Sequence, residues 1–315
     1  ERGMAEELVE IEAIANNPEA PTFENTIVAM EQTGDILSRV SRVFFNLNSA
    51  HTNQAMQDVD KTVSPQLAAH QDAIFLNPKL FARVEALYAK IDTLELDPES
   101  RRLLERYHID FVRAGARLSE ADKAKLRELN AELATLETAF AQNVLRETLD
   151  SAVIVDTAEE LDGFSAAQIR AAADAATARG HEGKYLISLQ NTSGQPPLAL
   201  LSNRALRQRI HEASVSRGAR DNAHDNRPVV ARVAALRAER AALLGYPSHA
   251  AYVLENATAG TPAAVNEMLG SLAPAAVANA RKEAADIQAL INAQGGDFEL
   301  QAWDWDFYAE QVKQA

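Results

Sequence analysis

Two His-Glu pairs stand out as groups that could do chemistry: His181-Glu182 and His211-Glu212. Such a pair becomes a zinc-hydrolase centre when a second histidine follows four residues after the first, because both imidazoles then share one helix face. Four residues after these histidines stand Tyr185 and Val215, and neither replaces an imidazole ligand. With no second ligand at a facing distance, both read as surface or hydrogen-bonded histidines. His224 and Asp225, beside Arg227, could form a polar cluster; capping and solvating a helix start is the plainer reading. We therefore assign no catalytic, cofactor-binding or metal-ligating residue to this chain.

Arg204, Arg207, Arg209, Arg217 and Arg220 make a local basic run in an acidic protein. Arginine recognises carboxylates bidentately, so a peptide-carboxylate surface is one reading. Surface pairing with Glu212 and the surrounding acids is the favoured one. In Trp303-Asp304-Trp305-Asp306-Phe307-Tyr308, Trp303 and Phe307 are four apart, as are Asp304 and Tyr308. One helix face is then apolar and the other mixed. That suits a face packed on a further part of the polypeptide better than a stacking platform for sugars or bases. Gly163, Gly180 and Gly183 form no phosphate-cradling loop, and no Gly-x-Ser-x-Gly elbow occurs. Nucleotide chemistry and serine hydrolysis find no support.

The 315 residues suffice for one large domain or two, and 47% hydrophobic with 24% charged residues is ordinary for a globular protein. Abundant alanine with only 6% aromatics favours closely packed helices. A net charge of −14 argues against nucleic-acid and anionic-membrane partners, which select basic patches. The absence of cysteine excludes disulfides and thiol catalysis but leaves the compartment open. No run approaches the roughly 20 apolar residues of a membrane span. The charged start, Glu1-Arg2-Gly3-Met4-Ala5-Glu6-Glu7, already has a helical pattern and reads as a chain whose true beginning is missing.

The elements that must carry these residues are almost all helical. Leu8, Ile11 and Ile14 mark a first helix, and Thr22 caps a second that carries Ile27 to Leu47 and that Gly34 interrupts and can kink. Asn53 opens a third, which Pro65 should bend or replace with a new one. Leu80, Val84, Leu87 and Ile91 continue the pattern after Asn77-Pro78, and Asp97-Pro98 reads as a cap followed by a first-turn proline. From Ser119 to about Thr148, Leu126, Leu129, Leu133, Leu136 and Phe140 alternate steps of three and four, a local coiled-coil seam. The texture changes at Ser151. Ala152–Val155 and Lys184–Leu189 read as strands flanking a helix from Ser165 to Arg179, with turn residues from Gln190 to Pro197. Helix resumes at Arg204. Thr261-Pro262 starts another helix, Pro274 the next, and the tryptophan segment opens the last. The fold class is mainly α with a small β element, in three regions: 1–150 helical, 151–202 α/β, and 203–315 helical.

Between Asn226 and Pro262, Val229, Val233, Leu236 and Leu243 fall on one helix face; Gly245 closes that helix, Pro247 stops it resuming, and Ser248 caps a short successor. The wording here, Leu-Arg-Ala-Glu-Arg-Ala-Ala-Leu-Leu-Gly-Tyr followed by Ala-Tyr-Val-Leu-Glu and Thr-Pro, resembles the thimet-oligopeptidase-like zinc peptidases (family M3), and within them the bacterial peptidyl-dipeptidase branch. Pro21-Thr22-Phe23-Glu24-Asn25-Thr26-Ile27, leading into Val43-Phe44-Phe45-Asn46-Leu47, agrees with that branch. So does the Trp303–Tyr308 segment, with Phe307 where the family pattern leads us to expect tyrosine. The likeness runs in order along essentially the whole chain.

The resemblance implies a zincin-type, neurolysin-like N-terminal region and a zinc metallopeptidase that releases dipeptides from the C-termini of oligopeptides. It implies that zinc is held by a His-Glu-x-x-His helix in a C-terminal catalytic half beyond Ala315, with the motif's glutamate as general base. This chain would then bind no zinc, be inactive alone and form one wall of a channel admitting short peptides. Its partners would be the oligopeptide substrate and its own catalytic half, in a cytoplasmic (alternatively periplasmic) monomer. The competing reading is a non-catalytic helical scaffold or interaction domain, which composition and periodicity alone allow.

Overall fold

The structure is a computed structural model and describes residues 1–190 and 194–314. It is mainly helical, with one small sheet of two strands among the described residues. It divides into two compact units, residues 1–140 with 229–253, and residues 141–228 with 254–315.

In the first unit, α1 (Arg2–Ala15) buries Ile11 and Ile14. Thr22 and Asn25 form a reciprocal cap, each side chain accepting from the other's backbone N–H, and a π-helical turn over Phe23–Val28 continues as α2 (Ala29–Glu31). The single helix expected here is in fact two. Gly34 takes the left-handed conformation (φ 71°) and stands at the N-cap of α3 (Asp35–Ala50), with its N–H donating to Glu10 at 2.9 Å. Pro65 does not divide the next element: α4 (Gln54–Phe75) runs through it, capped by Asn53. The proline costs one ladder bond, which the helix's 22-residue length outlasts.

Helices α5 (Pro78–Tyr88) and α6 (Pro98–Ala114) begin at side-chain caps: Asn77 accepts from Lys79 and Leu80, and Asp97, as expected, from Glu99 and Ser100. Together with α1, α4 and the Thr22 turn they enclose a core of Ile11, Ile27, Leu80, Val84, Leu104 and Phe111. Helix α7 (Glu120–Asp150) spans 31 residues. Its seam is buried at Leu126, Leu129 and Leu133, and the last two pack against Leu236 of α11 (Arg227–Leu243). Charges flank this contact. Arg232 reaches Glu132 at 2.6 Å and Arg237 reaches Glu137 at 2.7 Å. A glycine with φ 84° ends α11: Tyr246 N–H bonds the Ala241 carbonyl and Gly245 N–H that of Ala242, leading into α12 (His249–Leu254).

In the second unit, β1 (Val153–Val155) pairs antiparallel with β2 (Tyr185–Ile187), Val153 facing Ile187. Between them runs α8 (Ala166–Ala178), started by a Ser165–Gln168 capping box. Part of the turn expected from Gln190 to Pro197 lies outside the described residues. The short α9 (Pro197–Leu200) leads to α10 (Arg204–Val215), and Val155, Leu161, Leu189, Leu201 and Ile210 form the core. Helix α13 (Pro262–Ala293) is continuous through Pro274, where a new helix was expected. The last element is α14 (Trp305–Gln314). No helix among the described residues is long and apolar enough to cross a membrane.

Candidate functional site

The residues most charged with chemical potential converge at Asp304, immediately before α14. Its carboxylate is fully buried and accepts from Arg204 (Nη2, 2.8 Å; Nε, 3.0 and 3.1 Å), from Arg207 Nη2 at 2.9 Å and from the Gln301 N–H at 3.2 Å. Burial pushes this carboxyl up, but the arginine and backbone donors outweigh it and hold it below the usual carboxylate range. Arg207, itself buried, spends its other nitrogens on the carbonyls of Leu201 (2.8 Å), Ser202 (3.2 Å) and Trp303 (3.1 Å). Its guanidinium lies 4.3 Å from the Phe307 ring centre, and that of Arg204 lies 4.1 Å from Phe298.

This corrects one expectation. The basic run does not pair with Glu212, which bonds Gln208 instead. In the aromatic segment Trp303, Trp305 and Phe307 are half-buried, and Arg204 and Arg207 hold the segment within its own unit. An ion cluster of this kind, with Asp304 and Arg207 buried, holds a chain segment in place. The rest of the run is similarly occupied. Arg209 donates to the Ile154 carbonyl and Arg217 to that of Leu189.

A second buried carboxylate, Glu147 on α7, accepts from Arg220 at 2.9 Å, from Asn222 at 2.5 Å and from the Gly218 N–H at 2.9 Å. These bonds, Arg220's foremost, pull its pKa down to about 2. They tie the polar connector before α11 to the end of α7. The same connector places Asp225 against the Arg227 N–H and guanidinium, with His224 3.8 Å from Asp150. The Arg227 bonds hold the Asp225 carboxyl well below its ordinary value. This is the helix-start arrangement, not a reactive one.

The two histidine candidates stay apart from any ligand set. His181 is exposed in the turn after α8, and His211 on α10 lies 6.1 Å from the Trp303 ring. Among the described residues, no group of three His, Cys, Asp or Glu side chains could hold a metal ion.

Two anchoring residues escaped the sequence reading. Arg83 is buried in α5 and donates to the Asn17 and Glu19 carbonyls (3.0 Å each) and to Asn25 (2.8 Å), so the Thr22–Asn25 cap is locked from behind. Arg113 donates to the Tyr252 carbonyl at 2.6 Å and stacks 4.4 Å from that ring, fixing α12 at the Gly245 corner. For Arg83 the available signal was its place between Leu80 and Leu87, three and four residues away on one helix face; Arg113, with Asp110 and Arg117 at those spacings, gave none.

Three of the stretches singled out by their wording thus contain an anchor: Asn25 under Arg83, Tyr252 under Arg113, Asp304 between Arg204 and Arg207. Comparison with known proteins gives that wording a context. Residues 198–315 match the profile of "Peptidase family M3". The chain is 44% identical over 313 residues to a dipeptidyl carboxypeptidase of Escherichia coli, covering 99% of this chain and 46% of that protein. It is 43% identical to the Salmonella typhimurium dipeptidyl carboxypeptidase over the same shares. An oligopeptidase A of Haemophilus influenzae is 28% identical over 96% of this chain and 45% of its own length. The chain spans about half the length of the curated relatives it matches. By its sequence, then, this chain is a relative of the family M3 peptidases.

Proposed function

We propose that the chain is the non-catalytic part of a zinc peptidase that releases dipeptides from the C-termini of oligopeptides. The observation that carries this is the 44% identity over 99% of the chain to a dipeptidyl carboxypeptidase, against 28% to an oligopeptidase A. In this reading the remaining half of the longer protein holds the zinc, whose chemistry is to polarise the scissile carbonyl and activate water. Among the described residues, no group of His, Cys, Asp or Glu fits a zinc site, and no step is assigned to them. Their work is architectural. The arginine anchors hold helices and turns as one wall of a channel that admits short unfolded peptides and excludes folded proteins.

The test is product analysis with the longer protein on blocked oligopeptides. C-terminal dipeptides as the main product support the assignment. Single amino acids, or internal cleavage without dipeptide release, defeat the peptidyl-dipeptidase assignment.

A further inference from the structure

In the first unit a cavity of about 260 Å³ opens between α1, the turn at Thr33, α4 and α6. Its wall is apolar: Ile11, Met30, Ile74 and Phe111 line it, and all four belong to the buried core. Its rim carries two carboxylates from different helices, Glu7 of α1 and Glu31 of α2.

Both carboxylates are set as acceptors. The Tyr107 hydroxyl donates to Glu31. Burial and the neighbouring Glu31 push the Tyr107 phenol up, so the proton stays on the tyrosine. His70, itself 4% exposed, meets Glu7 through Nε2 at 2.9 Å, while its Nδ1 is buried without a partner. A second proton on Nδ1 would have no acceptor, so the geometry favours one proton, on Nε2, donated to Glu7. Neither glutamate is paired with a lysine or arginine among the described residues.

Two carboxylates without a countercharge beside an apolar wall suit a ligand with both characters, a cationic head for the rim and hydrocarbon for the wall. A bare metal ion would leave the wall unused, and among the described residues no group of three acidic or histidine side chains could hold one. At roughly 30 Å³ for each water-sized group, the cavity has room for about eight or nine of them, enough for a short chain and too little for a peptide. We propose that this cavity binds a primary ammonium group carried on a short alkyl chain, the chemistry shared by a free alkylamine and a lysine side chain. The site is built from the first unit alone and stands independently of the peptidase assignment.

Met30 makes the test local, because it lies in the wall and is one of four methionines in the chain. The methionine methyls are labelled with carbon-13 and n-butylammonium chloride is titrated at constant ionic strength. The Met30 resonance should shift and saturate, while that of Met268, exposed on α13, stays in place. Glu31→Gln should weaken binding about tenfold, and Gln71→Glu, which adds a carboxylate at the rim, should tighten it. Titration with Nα-acetyl-lysine amide separates the two sources. Saturation by it assigns the site to lysine side chains; saturation by butylammonium alone assigns it to free amines. No saturable Met30 shift with either probe overturns the proposal. So does equal binding of butanol, which would make the cavity merely apolar, or unchanged affinity in Glu31→Gln. If Glu31→Gln does not fold, unchanged affinity in Gln71→Glu overturns it instead.

Discussion

Asp304 and Arg207 are 97 positions apart in the chain and 2.9 Å apart in the structure, with both side chains buried. That pair, with Arg204, fastens the tryptophan segment to α10 and joins the two ends of the second unit's later sequence. Removing one charge would strand two guanidinium groups, one of them fully enclosed.

Asp304→Asn should therefore destabilise the second unit by about 3–5 kcal/mol, the range for breaking a buried ion pair from one side. Trp303 and Trp305 are the protein's two tryptophans and flank this aspartate, so fluorescence during urea unfolding reports on that unit. A lowered midpoint with unchanged slope is expected. An unchanged midpoint would show that the cluster holds nothing.

Glu147 gives a pH signature. Its pKa falls from 4.5 to about 2 on folding, so its contribution is fully present above about pH 4.5 and is lost as pH falls towards 2. Glu147→Gln should cost about 2–3 kcal/mol near neutrality, below the range for a fully buried pair because Arg220 is one-third exposed. The gap between the two proteins should close progressively below pH 4.5. A gap independent of pH would mean that shape, not charge, is what Glu147 supplies.

The periodic elements were legible from the chain, and the tertiary links between them were not. The leucine seam at Leu126, Leu129 and Leu133 and the stripe at Val233, Leu236 and Leu243 could each be read from spacing; that they face each other could not. Caps at Thr22, Asp97 and Ser248 were local chemistry and appear as such, and the helix starts read near Asn53 and Ser165 prove to be capped by those side chains. A proline misled where a long helix absorbs one missing bond, at Pro274, and at Pro65 the helix continues instead of starting anew. Gly34, read as an interruption of its helix, stands at the N-cap of α3 and separates it from the turn before. The arginine run misled most. Charge spacing suggested a solvated face, but only the fold reveals that Asp304 waits a hundred residues downstream of Arg204.

Metal content is a simple check on the site assignment. After dialysis, this chain should hold no stoichiometric zinc, since neither His181 nor His211 has partner ligands at its side. One tightly held zinc per chain, measured by elemental analysis, would contradict this, and His181→Ala and His211→Ala would then locate the site.

The most direct measurement of the central claim is peptide hydrolysis by this 315-residue chain with and without the remainder of the longer protein. Alone, at high concentration and with added zinc, it should release nothing from blocked oligopeptides. With the remainder co-expressed, C-terminal dipeptides should appear and a chelator should abolish them. Hydrolysis by the chain alone, insensitive to chelator, would contradict the account.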